Sequence, residues 1–573
     1  GNGDDYEPGD FRVSAILPDP PEDGDEEEPE PNLIGSYGML AEDHSLVANL
    51  SSNSIETWLD GAHGMVADTF GLALNTGAIT THGNSANGIW AKNQSLALNF
   101  GDIVTEGGQS YGMRIQDESF GLNTGSIITG NLDSVGMLVE RTSIGLNSGS
   151  IETNAVGAHG MEAFDRSIIA NLGGGKIETH GFMADGMRAH NSFAVNNGDI
   201  ITNVTFSYGM VGSHSLIANL GDGKIETHGD ASHGMDAKSI SLALNAGTII
   251  THGEGSIGMW AEDHSEMANT GTIATEGDLS HGIMAKGDSM VLNTGTITTK
   301  GERGHGMVVD KSLALNTGDI VTSGAESRGM IGTHKSSIVN TGKVTTKGDG
   351  ADAVTLSDST FFNAGVLDSA KGNAVTAEGG SNVFLLDGTK LEGSHTLEDE
   401  GGDSNLAVWM DDDLSAQVVN FGKFLKTGGG TFLVEGGSSV VGNTLTAEGT
   451  LAVQAGTQFK TGTYDQLSGG NLYLYANPDS VTELDAIPLW VVGNQDIKGS
   501  VYIDMSTATL PGHYRYIRAL NNDWDFDTHF VNSSYFIPYD PQWITGGSFV
   551  YTSFLGYSFS HAALGMVAAI DDW

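Results

Sequence analysis

Asn293-Thr294-Gly295-Thr296-Ile297-Thr298-Thr299 is one copy of a pattern that fills most of this chain. Its copy opens at Gly282-Ile283 and carries Ser289 four residues before the Asn. The opening pair, Gly-Met or Gly-Ile, recurs at Gly38, Gly64, Gly88, Gly112, Gly136, Gly160, Gly186, Gly209, Gly234, Gly258, Gly282, Gly306 and Gly329, mostly 24 residues apart. The Asn recurs at Asn49, Asn75, Asn99, Asn123, Asn147, Asn171, Asn196, Asn219, Asn245, Asn269, Asn293, Asn316, Asn340 and Asn363, in 14 of 14 copies. Ser precedes it by four in 13 of them; Gly71 is the exception. A fixed period of this kind is the signature of stacked repeats.

Each copy breaks into three pieces: Gly-Met-x-Ala, Ser-Leu-Ala-Leu-Asn and Ile-x-Thr. Apolar residues alternate within the pieces, and Gly or Asn stands between them. None is long enough for an amphipathic helix. The pattern predicts an all-β, right-handed parallel β-helix (β-solenoid), with three short strands per coil of about 24 residues and a C-terminal β cap. One coil cannot bury its apolar face alone; its neighbours complete the burial. The Met, Leu and Ile positions are expected to form internal ladders, and the repeated Gly to supply positive φ at corners. The Asn column, Asn75 through Asn340, is expected to be a structural ladder of stacked amides.

Proline agrees. Six of the 11 prolines lie between Pro8 and Pro31 and the other five begin at Pro478. A proline cannot donate to a ladder used on both sides, so the gap reads as ladder throughout, about nineteen coils with the weaker ones. The organisation expected is therefore residues 1–32, a disordered acidic proline-rich arm; 33–365, a regular array of about 14 coils; 366–463, irregular β-helix; and 464–573, a β cap rich in aromatics such as Tyr514, Tyr516, Trp524, Phe526, Tyr535, Phe536 and Tyr539.

The chain has 573 residues, 25 Lys+Arg, 72 Asp+Glu and no Cys, for a formal charge of −47. No Cys means no disulfide and no thiolate metal site. The charge argues against nucleic acid, which selects Lys/Arg patches. No run of 18 apolar residues is present, so direct membrane insertion as a helix is not expected. The first residues, Gly1-Asn2-Gly3, lack a basic, apolar leader, so a signal peptide, if there was one, is expected to be already gone.

Phe424–Gly436 resembles the passenger-associated strand repeat, L-x-K-T-G-x-G-T-L-x-L, of type V autotransporters from Gram-negative bacteria. Asn471–Leu474, Gly512-His513-Tyr514-Arg515-Tyr516-Ile517, Phe526 and the residues around Phe549–Phe554 resemble the C-terminal autochaperone region of those passengers. The Asn-x-Gly-x-Ile-x-Thr coils are similar to the β-helices of adhesin-like members, and also to filamentous haemagglutinin-like secreted proteins. The resemblance implies a secreted or surface-displayed passenger that crosses the outer membrane. Family members end in a membrane β-barrel; here few residues follow the cap, which reads as a cleaved passenger or a different route to the surface.

The catalytic motifs tested are absent. The nearest string to the chymotrypsin-type motif is Gly287-Asp288-Ser289-Met290, where Ser289 is the repeat serine; no Gly-x-Ser-x-Gly and no His-Glu-x-x-His occurs. No catalytic or cofactor-binding residue is therefore expected. The nine arginines show no clustering within the repeats, which weakens a polysaccharide lyase or glycosidase reading. Calcium is the best-supported cofactor, with candidate ligands in the acidic loops Glu398, Asp399, Glu400 and Asp411, Asp412, Asp413; a plain acidic surface is the simpler reading. Histidines fall in columns. His82, His180, His228 and His252 sit in Thr-His-Gly turns, and His281 and His305 precede the repeat Gly. Such columns could bind zinc or sense pH, or serve only as polar turn residues. The expected role is a non-enzymatic adhesin or self-associating surface protein, with a host-cell or matrix glycan or protein, or another copy of itself, as partner. The alternatives are a polysaccharide-degrading enzyme and a structural stalk.

Overall fold

The computed structural model describes residues 37–475, 477, 479, 483, 486–504, 506, 512–519, 527–531, 542–543 and 549–554. The expected acidic arm, 1–32, lies outside them, as do Trp524, Phe526, Tyr535, Phe536 and Tyr539 of the expected cap. The chain divides into two compact units, Gly1–Val308 and Val309–Trp573.

In the first unit each coil holds three strands, for example Met161–Phe164, Ile168–Asn171 and Lys176–Thr179. Each strand pairs in parallel with its counterpart one coil on. Met161 meets Met187, Asn171 meets Asn196 and Ile177 meets Ile200. The result is a parallel β-helix of the right-handed type with three faces: a Met face, an Asn face and an Ile-Thr face. The described residues contain no α-helix.

Alternation decides what points inward. Met161, Ala163, Ile169, Ile177 and the polar Asn171 and Thr179 are buried. The asparagines make one chain of amides: Asn75 Nδ2 donates to Asn99 Oδ1 (2.7 Å), Asn99 to Asn123 (2.7 Å), and so on through Asn147, Asn171, Asn196, Asn219, Asn245, Asn269 and Asn293. Each inward Thr hydroxyl donates to a carbonyl five residues on, as Thr129 does to Ser134 O (2.6 Å). The lumen is thus apolar on two faces and lined by satisfied polar columns at its corners, which removes the penalty of burying them.

Two expectations are corrected. The Leu positions of the Asn face do not point inward. Because Asn75 is inside, two-residue alternation puts Ala73 inside and turns Leu72 and Leu74 outward, half-buried. Nor do the repeat glycines supply positive φ. Gly136 has an ordinary φ, but an added Cβ would lie 2.6 Å from Gly160 O and overlap the Ile151 side chain. Glycine is needed there for close approach between faces. The positive-φ corners are instead held by residues such as Asp117, Glu118, Arg141 and Thr142.

In the second unit, coils such as Met330–Thr333, Ser337–Asn340 and Lys343–Thr346 keep the three-strand pattern. The Asn column runs from Asn316 to Asn340 and Asn363 (2.8 Å each) and ends on Thr389 Oγ1 (3.2 Å). The Ile-Thr family of strands stops at Lys390–Gly393, and longer strands, Ser439–Val453 and Phe459–Tyr475, follow. The core changes from Met and Ala to aromatics: Phe421, Phe424, Phe432, Phe459, Tyr464 and Tyr516 are buried. Pairing is parallel as far as Ser500–Asp504 with Asp527–Val531; Gly512–Arg518 with Phe549–Phe554 is antiparallel.

Candidate functional site

The x position of Gly-Met-x-Ala points out from the Met face. Strand register aligns it as one column: Trp90, Arg114, Leu138, Glu162, Arg188, Val211, Asp236 and Trp260. Seven coil steps span roughly 34 Å at about 4.8 Å each. Two neighbouring columns, just before the Gly and just after the Ala, add Tyr111, His159, Asp185, Tyr208 and His233 on one side and Lys92, Glu140, His190, Lys238 and Lys286 on the other. Arg114 and Arg188 share this column three coil steps, roughly 14 Å, apart.

Each end of the belt is an aromatic platform under cations. Lys92 Nζ lies 4.6 Å from the Trp90 ring centre, and the Arg114 guanidinium lies 5.4 Å from Trp90 and 5.8 Å from Tyr111. At the other end Lys286 Nζ is 5.5 Å from Trp260, Lys238 Nζ is 5.7 Å from Tyr208, and His233 stacks on Tyr208 at 4.8 Å. Such rings offer an apolar face with a polar edge.

Between the platforms lies a buried polar cluster. Asp185 Oδ1 accepts the Tyr208 N–H (2.9 Å), and the Asp185 N–H donates to His159 Nδ1 (2.9 Å). Arg188 Nη1 is 3.0 Å from His159 Nε2. His190 Nε2 is 3.8 Å from Glu162 Oε1. Burial raises the Glu162 and Asp185 carboxyls to about 7 and Asp236 to about 6, although Arg188 and Lys238 oppose it. Burial, then the adjacent cations, lowers His159 and His233 to about 3 and His63 and His281 to about 4. Near neutral pH His159 and His233 are therefore uncharged, and Arg188 lies beside two carboxyls poised between acid and base.

Several buried atoms here have no hydrogen-bond partner among the described residues: Trp90 Nε1, Trp260 Nε1, Arg188 Nε and both Asp236 oxygens. Asp236 Oδ2 is nevertheless ion-paired with Lys238 Nζ at 3.0 Å. No motif marks these residues. The legible signal was the x position itself, which is charged or aromatic in six of the eight copies from Trp90 to Trp260, Leu138 and Val211 being the exceptions.

The residues singled out from sequence fall elsewhere. The Asn column is internal and carries structure. Asp399 is buried and accepts from Gly401 N, Ser404 N and Ser404 Oγ within its own turn. Glu398 accepts from Asn373 Nδ2 (2.8 Å), and Glu400 is exposed. Asp411 accepts from Gly429 N (2.7 Å), Asp412 from Gly388 N (3.3 Å) and Asp413 from Thr431 N (2.6 Å). These carboxylates brace neighbouring coils. Among the described residues, one group of three ligand types brings its atoms within 4.8 Å of one another: Glu226, His228 and His252, on the Ile-Thr face.

In the second unit Tyr473, Tyr475 and Tyr502 line an open groove of about 720 Å³ with Asp413 and Asn471.

A family model described as the BigA third pectate lyase-like domain matches residues 21–173 and 210–316. No curated protein matches the chain in sequence. Among solved structures, a chain in the cryo-EM structure of the Vag8–C1 inhibitor complex aligns with a TM-score of 0.45 and 15% identity, covering 87% of this chain and 100% of that chain. The match to a pectate lyase-like domain agrees with the parallel three-strand coils: both describe a β-helix.

Proposed function

We propose that this chain is a secreted or surface-displayed autotransporter passenger and an adhesin that holds a carbohydrate chain along the Met face of its first unit, from Trp90 to Trp260. The observation that carries the reading is the pair of half-buried Trp platforms at the two ends of a belt of polar groups. Aromatic rings pack against the apolar faces of sugars, and the charged groups between them serve hydroxyls and carboxylates. Four of this face's cations are paired with carboxylates, Lys92 with Asp68 (2.9 Å), Arg114 with Glu140 (3.0 Å), Lys238 with Asp236 (3.0 Å) and Arg188 with Asp185 (4.0 Å), so the face offers balanced polar groups to a glycan's hydroxyls. Contacts spread over several coils add up by multivalency. The test is binding of the purified chain to immobilised neutral and acidic glycans. Trp90→Ala and Trp260→Ala should each weaken binding at least tenfold while the protein stays folded. A chain that binds no glycan, or binds one equally well without both tryptophans, sinks the reading.

A second reading has its own support. Glu162 and Asp185, raised to about 7 and lying beside Arg188, have the acid–base character that glycan cleavage requires. Incubation with acidic polysaccharides, followed by a reducing-end and unsaturated-product assay, separates the two. Product release abolished by Glu162→Gln, with binding retained, favours the enzyme; intact polymer favours the adhesin.

A further inference from the structure

The Ile-Thr face carries an arrangement unrelated to the Met-face belt. In its strands the residue between Ile and Thr points outward, and so does the residue after Thr. At Lys224–Thr227 and the turn that follows, these are Glu226 and His228; one coil on, the residue after Thr251 is His252. The His228 and His252 rings stack with centroids 4.7 Å apart and planes 3° apart. Glu226 Oε1 lies 3.0 Å from His252 Nε2 and 3.7 Å from His228 Nε2.

We propose that Glu226, His228 and His252 form a zinc site. Zinc takes His nitrogen and carboxylate oxygen at about 2.0–2.2 Å, which sets tetrahedral ligands roughly 3.3 Å apart. The two oxygen–nitrogen distances bracket that value, and because two parallel rings cannot both aim in-plane lone pairs at one ion, the more exposed His228 ring turns toward the ion on binding. The surroundings hold the donors in place. His252 Nδ1 is 2.8 Å from Glu276 Oε2 and keeps that carboxylate as its outer partner, while Nε2, which bridges to Glu226 Oε1 at 3.0 Å, gives up its proton as the ion takes that place. The other oxygen of each carboxylate is held by a lysine: Lys224 Nζ donates to Glu226 Oε2 and Lys300 Nζ to Glu276 Oε1, both at 2.6 Å. Both carboxylates are thereby fixed without blocking the oxygens that face the imidazoles. The lysines also cancel the two negative charges, so micromolar rather than tighter affinity is expected. The His228 side chain is 41% exposed, and the fourth position opens to solvent.

The fold supplies its own control. His82 sits between Glu56 (3.1 Å) and Glu106 (2.7 Å) just as His252 sits between Glu226 and Glu276. Its preceding coil carries Trp58 in place of a second histidine, and the indole stacks on His82 at 3.8 Å. The same Glu–His–Glu ion pairs exist there without a third ligand.

The experiment is zinc titration of the untagged full chain against a chromophoric chelator. It should give one ion per chain at micromolar affinity. His228→Ala and His252→Ala should each weaken binding at least tenfold, Glu276→Gln several-fold, and His82→Ala not at all. X-ray absorption of the zinc-loaded chain should give Zn–N distances of about 2.0–2.1 Å. If His228→Ala loses structure by circular dichroism, His228→Gln, which keeps a polar turn residue, takes its place. Absence of stoichiometric binding, or binding that survives loss of either histidine within tenfold, overturns the site.

Discussion

Glu162 is a carboxylate that holds its place by giving up its charge. Its neighbours in the outward column are Leu138 and Arg188, and its side chain is 13% exposed. Burial raises its pKa from 4.5 to about 7, with Arg188 opposing and Asp185 adding to the rise. Between those values the native state holds a proton that the unfolded chain has released. Its contribution is therefore complete below about pH 4.5 and is lost as pH rises through about 7. The buried histidines run the other way. His159 and His233, lowered from 6.5 to about 3, favour the native state above 6.5 and cease to do so as pH falls toward 3. One substitution isolates the acid. Glu162→Gln should stabilise the protein by up to about 3 kcal/mol at pH 8 and by almost nothing at pH 4.5. Urea unfolding at the two pH values checks this. An equal effect at both would mean that the carboxyl is not held protonated.

The element that matters is the coil rather than the strand. Each four-residue strand exchanges its backbone hydrogen bonds with the coils before and after it, and the Ser and Asn columns do the same with side chains. Ser119 N donates to Ser143 Oγ (3.1 Å) as Asn123 donates to Asn147 (2.8 Å). A coil is thus exchangeable if phase is kept. Removing Gly125–Ser148, 24 residues, joins Thr124 to Gly149 and restores the motif as Asn123-Thr124-Gly149-Ser150-Ile151. That variant should fold, with a β-type circular dichroism spectrum and cooperative melting. Removing only 125–136 puts the Met face against the Ile-Thr face and should leave the chain aggregated. Equal behaviour of the two deletions would contradict coil-by-coil stacking.

Over the whole molecule, the hazard of such a design is an open ladder. In the second unit Ser439–Val453 pairs along its length with Phe459–Tyr475, which in turn pairs with Leu489–Val491 and Ser500–Asp504. Ending the chain before Tyr464 bares the edge of Ser439–Val453 and removes the buried Tyr464 and Tyr516. The truncated chain should aggregate or be cleaved quickly by protease; a soluble, resistant fragment would show that these strands do not protect the ladder. The one-dimensional information was enough for the fold. A 24-residue period, alternation within each piece, an Asn in every copy and a proline-free span dictate a parallel coil, because only repetition in register buries those residues. It was not enough for the direction of each side chain: Leu72 and Leu74 look like core until the buried Asn75 fixes the alternation, and Gly136 looks like a turn until Gly160 O is seen beside it. The candidate sites were the least legible part. Trp90, Glu162, Arg188 and Trp260 are separated by whole coils, as are His228 and His252, and each is a single variation in a tolerant outward position. Stacking at about 4.8 Å per coil, a property of the tertiary structure alone, turns those scattered variations into one face and one cluster.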